Sequence, residues 1–229
     1  MEHLFFRQVA CAAFLLLLGT ARCYYLMSAA THPADGNAPR GHWKRHLPAY
    51  ATSFLWVSYV AWFILAPAEM AKWGSWLPMH WASDVLGWIA VPILGAGVWL
   101  FWYSHSTIGR YWSIGIGLKQ AHRLVTTGPY RYVRHPLYTA LFLGYLGTVV
   151  ALQSWTLAAW FPVFFASYLV FAREEESVME RGFGHEYRAY RRQTGMLFPK
   201  LMIVRADLFR DDQWLREHGI APLRAREHD

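Results

Sequence analysis

Five apolar runs constrain this 229-residue chain more than any other feature. They fall at about residues 4–26, 47–67, 81–103, 136–152 and 155–172. In hydrocarbon a backbone must satisfy its own N–H and C=O groups, so runs of this length fold as helices. Arg7 and Arg22 interrupt the first run, for which a cleaved signal peptide is the rival reading. No small-residue cleavage site follows it, which favours a retained helix. Only Gln153 and Ser154 separate the last two runs, a spacing that predicts a tight antiparallel hairpin. Composition agrees, with 55% hydrophobic and 16% charged residues, against about 25% charged in a soluble domain. The expectation is an all-α integral membrane protein of about five transmembrane helices in one bundle. It ends in a helical hairpin and a cytoplasmic amphipathic helix.

The net charge of +7 suits a nucleic-acid binder in isolation, but the basic residues sit in loops beside apolar runs. Arg40, Lys44 and Arg45 follow the first run, whereas Glu69 and Lys72 cancel after the second. Arg110, Lys119, Arg123, Arg131 and Arg134 follow the third, the hairpin turn carries no charge, and arginines crowd the segment after the fifth. Alternate loops are therefore basic. By the positive-inside rule the N-terminus lies outside, and residues 104–135 share the cytoplasmic side with the tail after Arg173. The chain divides into N-terminal spans (1–105), a core carrying the motifs below (106–199) and a cytoplasmic tail (200–229). Cys11 and Cys23 suggest neither a disulfide nor a metal site.

Two polar stretches exceed what membrane loops need. Residues 126–138 read TTGPYRYVRHPLY. Gly128-Pro129 is a turn signal, and Pro136 stands where a helix begins and tolerates its missing N–H. His135 before it is biased away from helical geometry. Arg134 and His135 are thus held at a helix mouth, which favours anions. A basic loop capped by proline is the plainer alternative. Residues 173–192 read REEESVMERGFGHEYRAYRR, with Glu174, Glu175 and Glu176 at the apolar boundary, where lysine and arginine are usual. At helical spacing Glu176, Glu180 and Arg181 share one side, and Met179, Phe183, Tyr187 and Tyr190 another. A solvated surface helix stitched by ion pairs is the alternative.

In order and spacing, LKQAHRLVTTGPYRYVRHPLY, a short apolar hairpin and then REEESVMERGFGHEYRAY resemble the isoprenylcysteine carboxyl methyltransferase family. The leader GRYWSIGIGLK looks like bacterial members, and the phospholipid N-methyltransferases are more distantly similar. The resemblance covers roughly residues 107–199 and implies an integral membrane enzyme using S-adenosylmethionine. It implies that His122, Arg123, Leu124 and Val125 bind the cofactor ahead of the turn that carries Tyr130. It implies the same for His135, Pro136, Leu137 and Tyr138, and, counting back from Phe183, for Glu175 of the glutamate pair Glu175–Glu176. Eukaryotic members place a substrate arginine where this chain has Phe171, and Arg173 is the nearest replacement. Ala140 stands where a glycine is often found.

The implied chemistry suits these residue types. The cofactor carries a carboxylate for Arg134 and His135, and an ammonium and a ribose diol for Glu175. Its sulfonium and adenine suit the faces of Tyr130 and Tyr138. A carboxylate acceptor needs no general base, whereas an amine must lose a proton, a task for Glu176. Arg173 or Arg134 would grip an acidic acceptor. The resemblance thus implies methyl transfer to a lipid-like or prenylated acceptor, with a carboxylate favoured, at a site facing the cytoplasm of a bacterial inner membrane. An amine N-methyltransferase, a membrane reductase of similar fold and a non-catalytic scaffold are the alternatives. His32, His42 and His46 lack metal-ligand spacing, and no metal is expected. Tryptophans 56, 62, 73, 76, 81 and 88 crowd span ends as an interfacial belt does. Asp207 caps a short helix expected in the tail.

Overall fold

The computed structural model describes residues 2–30, 43–66, 80–112 and 123–200. These residues are helical apart from short turns and one isolated parallel bridge between Val133 and Gly195. In chain order the helices are α1 (Glu2–Ala30), α2 (Trp43–Leu65), α3 (His80–Ile108), α4 (Pro136–Leu152), α5 (Trp155–Phe183) and α6 (His185–Gln193). Short 3-10 turns occupy Gly109–Tyr111 and Gly128–Arg131. Leu47–Leu65, Val85–Ile108 and Trp155–Phe183 are long and apolar enough to cross a bilayer, and Val9–Tyr24 and Pro136–Leu152 are shorter apolar stretches. The chain is an integral membrane protein. The expected cap Asp207, His122 and most of the leader lie outside the described residues.

Small residues let α3 and α4 approach closely, as membrane helices require where no hydrophobic effect drives them together. A β-carbon at Gly97 would lie 3.1 Å from the Gly144 nitrogen and 3.2 Å from the Ala140 oxygen. Behind this seam an aromatic cluster joins α1, α2, α4 and α5. Trp56 stands 5.3 Å from Tyr145 and 5.6 Å from Phe164, centroid to centroid. The polar edges of these rings are satisfied internally. Trp56 Nε1 donates to Thr148 Oγ1 at 2.9 Å, and the Tyr145 hydroxyl donates to the Leu157 carbonyl at 3.1 Å. The hairpin turns through Gln153 in a left-handed conformation, and Ser154 caps α5 by accepting from the Leu157 N–H at 3.3 Å.

One expected boundary is corrected. The fifth apolar run does not give way to a separate amphipathic helix at Arg173. Instead α5 continues unbroken through the three glutamates to Phe183. Glutamate is a good helix former and nothing before Gly184 breaks the helix. Gly184, with φ of 52°, makes the turn into the short α6.

Candidate active site

The loop ahead of α4 is held from two sides. From the chain beyond α6, the Gly195 carbonyl accepts from the Arg134 N–H at 2.8 Å, and the Met196 carbonyl accepts from the His135 N–H at 3.0 Å. The Leu197 carbonyl accepts from Thr139 Oγ1 at 2.7 Å. From α6, the Tyr190 hydroxyl donates to the Tyr130 carbonyl at 2.6 Å. The segment 194–197 thus works as a clasp on the RHP loop.

Inside this clasp four charged groups meet. Arg134 Nε donates to Glu176 Oε1 at 2.6 Å, and its Nη1 donates to the carbonyls of Arg191 and Thr194. His135 Nδ1 lies 3.3 Å from Glu175 Oε2, and its Nε2 lies 3.4 Å from Glu176 Oε1. The side chains of Arg134, His135 and Glu176 are only 6%, 9% and 5% exposed, whereas Glu175 keeps 25%. Burial pulls the His135 pKa down, but the hydrogen bonds and charges of Glu175 and Glu176 together outweigh it and leave it raised. Arg134 and His135 therefore face two carboxylates. Glu176 is spent on this internal pairing, whereas Glu175 retains access to the space beside it.

That space is a cavity of about 390 Å³ between α1, α2, α3, α4, α5 and the RHP loop. Leu124, Val125, Tyr130, Arg134, His135, Pro136, Leu137, Tyr138 and Glu175 all line it. His135 and Tyr138 stack with ring centroids 5.4 Å apart and planes 8° apart. The Tyr130 hydroxyl is buried with no hydrogen-bond partner among the described residues. Burial first, and then the Glu175 charge, push its pKa well above the usual phenol range, so it remains a donor. A buried donor without a partner costs stability and marks a place for a ligand's acceptor atom.

Not every expected residue joins this cavity. Arg123 is exposed and does not line it. Arg173 is exposed and lines, with Glu176, Glu180 and Arg191, a separate open recess. Helical geometry explains the separation. Tyr168, Phe171, Glu175 and Met179 share the cavity face of α5 at spacings of three and four. Arg173 stands two residues from Phe171, about 200° around the helix axis. The opposite wall went unread in the sequence. It is made by Arg22, Tyr50, Ser53, Trp56, Phe101, His105 and Trp112, from α1, α2, α3 and the turn after α3. The one available signal was a charged residue, Arg22, in an apolar run. Among the described residues no group of three or more His, Cys, Asp or Glu is arranged to hold a metal.

Residues 85–186 match the family model described as phospholipid methyltransferase. Over this stretch the chain is similar to the phospholipid methyltransferase family. The family segment runs from α3 through the RHP loop and hairpin into α6, and it contains every expected site residue from His122 to Glu176. Arg22, Tyr187 and Tyr190 lie outside it. Among curated proteins the chain is similar to the nickel-cobalt-cadmium resistance protein NccN of Alcaligenes xylosoxydans xylosoxydans. The two are 36% identical over 122 residues, which cover 52% of this chain and 56% of the relative. It is 33% identical over 122 residues to the cobalt-zinc-cadmium resistance protein CzcN of Cupriavidus metallidurans, covering 52% and 55%. The chain thus spans just over half the length of the curated relatives it matches. Among solved structures it is similar to a eukaryotic intramembrane Ras methyltransferase, isoprenylcysteine carboxyl methyltransferase. That likeness has 24% identity and a TM-score of 0.46, covering 71% of this chain and 55% of that one.

Proposed function

We propose that the chain is an S-adenosylmethionine-dependent methyltransferase acting on a hydrophobic, lipid-bearing acceptor, with a carboxylate as the favoured methyl acceptor. One observation carries the reading. The cavity joins a polar wall of Glu175, His135 and the unpartnered Tyr130 hydroxyl to an apolar wall rich in aromatic rings. A polar, cationic cofactor and a greasy acceptor need such neighbours. Bound there, S-adenosylmethionine supplies an electrophilic methyl group.

This chain's own residues do the rest. Glu175 offers a carboxylate to the cofactor's ammonium or ribose diol, and Tyr130 donates a hydrogen bond from its buried hydroxyl. The faces of Tyr138 and Tyr130 favour a sulfonium. Arg134 and Glu176 act as positioning residues that fix His135 and the loop. The aromatic wall excludes water, and holding the reacting atoms in line can supply on the order of 7–11 kcal/mol of the acceleration. Glu176 is engaged by Arg134 and His135 and does not line the cavity, which supports an acceptor that needs no base from it. On the amine reading, Glu175 is the carboxylate at hand to take the proton. Residues 122–125, by resemblance, complete the cofactor's seat.

Binding of S-adenosylhomocysteine to purified protein, followed by calorimetry, tests the reading. We expect saturable binding that Glu175→Gln weakens by about 1–3 kcal/mol, the range for a lost buried polar partner. NADPH binding in its place would move the chain to the reductases, and binding of neither would leave a scaffold. With an acceptor in hand, a rate that rises with pH through one ionisation would identify an amine.

A further inference from the structure

Arg22 stands in the wall of the cavity and lies outside the matched segment 85–186. It lies near the end of the apolar stretch Val9–Tyr24, where a long arginine side chain can carry its charge toward the polar edge of the span. Its guanidinium carbon sits 5.0 Å from the centroid of the Trp112 ring. That contact orients the planar fork and covers one face of it, and a ring supplies no counter-charge. Among the described residues no carboxylate lies within ion-pair distance of it. Leu18, Trp56, Phe101 and His105 line the same cavity, and the Arg22 charge acts on His105 and Tyr168. The contrast with the cavity's other two cations is direct. Arg134 and His135 are matched by Glu176 and Glu175 at distances between 2.6 and 3.4 Å. Both are matched by carboxylates, whereas Arg22 has no such match among the described residues.

We propose that Arg22 binds the anionic group of the hydrophobic acceptor, a carboxylate or a phosphate, whose hydrocarbon lies along Leu18, Trp56 and Phe101. The proposal rests on the methyltransferase reading for the word acceptor, but the binding site itself does not. Arg22 is then a specificity-determining residue contributed from outside the family segment. A planar guanidinium braced on an indole presents two parallel N–H donors, the geometry that carboxylates and phosphates accept. A neutral or cationic amphiphile gains nothing there.

The test uses the full chain in nanodiscs of phosphatidylcholine. Affinities are measured for dodecanoate, dodecyl phosphate, methyl dodecanoate and dodecylammonium, alongside S-adenosylhomocysteine. Wild type should bind one of the two anions at least tenfold more tightly than methyl dodecanoate or dodecylammonium. Whichever anion leads identifies the source, a carboxylate or a phosphate headgroup. Arg22→Gln should abolish this preference without changing affinity for methyl dodecanoate or S-adenosylhomocysteine, and Arg22→Lys should keep the preference in weakened form. An anion preference that survives Arg22→Gln, or its absence from wild type, overturns the proposal. If Arg22→Gln does not fold, Arg22→Lys decides. Joint loss of melting temperature and S-adenosylhomocysteine affinity in that variant would make Arg22 structural and also overturn it. The two readings fail separately. Anion preference without S-adenosylhomocysteine binding sinks the methyltransferase, and the reverse sinks the Arg22 site.

Discussion

Arg134 and Glu176 form a buried pair, and removing one partner leaves the other charge uncompensated. Glu176→Gln should therefore lower stability by about 3–5 kcal/mol, the usual cost of breaking such a pair. Denaturation in detergent checks this, and a change under 1 kcal/mol would mean that solvent already screens the pair. His135 adds a pH dependence. Its folded pKa is raised above the ordinary 6.5, so the protonated ring is favoured by the fold. This stability is fully present below pH 6.5 and is lost as pH rises through the folded value. The melting-temperature gap between wild type and His135→Gln should then be widest in mild acid and narrow toward alkaline pH. A gap that widens with pH would show the ring to be buried neutral. That His135, Tyr138 and Glu175 meet at one cavity was legible in the sequence, because two contiguous stretches carry them. Arg173 was expected at the site because its position was judged by distance along the chain and not by rotation around α5, which turns it away from the cavity.

The same lesson holds for whole elements. All five apolar runs are helical, because length and composition decide this in hydrocarbon. The end of α5 was not legible at Arg173, since the polarity of Glu174–Glu176 marks a change of surroundings and not of backbone. The clasp at 194–197 was equally hidden, as it acts through carbonyl groups that carry no sequence signal. Packing between helices makes a sharper prediction. A β-carbon at Gly144 would fall 2.5 Å from Cζ and 3.0 Å from Cε2 of Phe14, a buried ring that also touches Trp56. Gly144→Val should therefore push α1 off the bundle and cost about 1–3 kcal/mol, the range for overpacking a core. A companion Phe14→Leu substitution should recover part of the loss. Thermal melts of the single and double variants decide this, and additive losses would mean that the ring does not set the spacing.

At the scale of the molecule, the cavity draws its walls from α1, α2, α3, α4 and α5, so its side of the membrane depends on which of these helices cross it. The basic segments after the first, third and fifth apolar runs alternate with a neutral one after the second and an uncharged hairpin turn. By the positive-inside rule we predict that the basic loops face the cytoplasm. In that threading the RHP loop and the glutamate end of α5 would open to the cytoplasm, the side where the proposed cofactor is available, with the aromatic wall within reach of lipid. This threading requires α1 and α4 to cross, though their apolar stretches, Val9–Tyr24 and Pro136–Leu152, are the shortest of the five. Short spans are accommodated by local thinning or by limited tilt, at fractions of a kcal/mol per ångström. Paired reporters give a decisive test, with an alkaline phosphatase or a fluorescent protein joined after Gly74 and after Asp229. The phosphatase should be active only at the first site and the fluorescent protein bright only at the second. If both sites report one side, an even number of crossings separates them, so α3, α4 and α5 do not all cross and the threading is wrong.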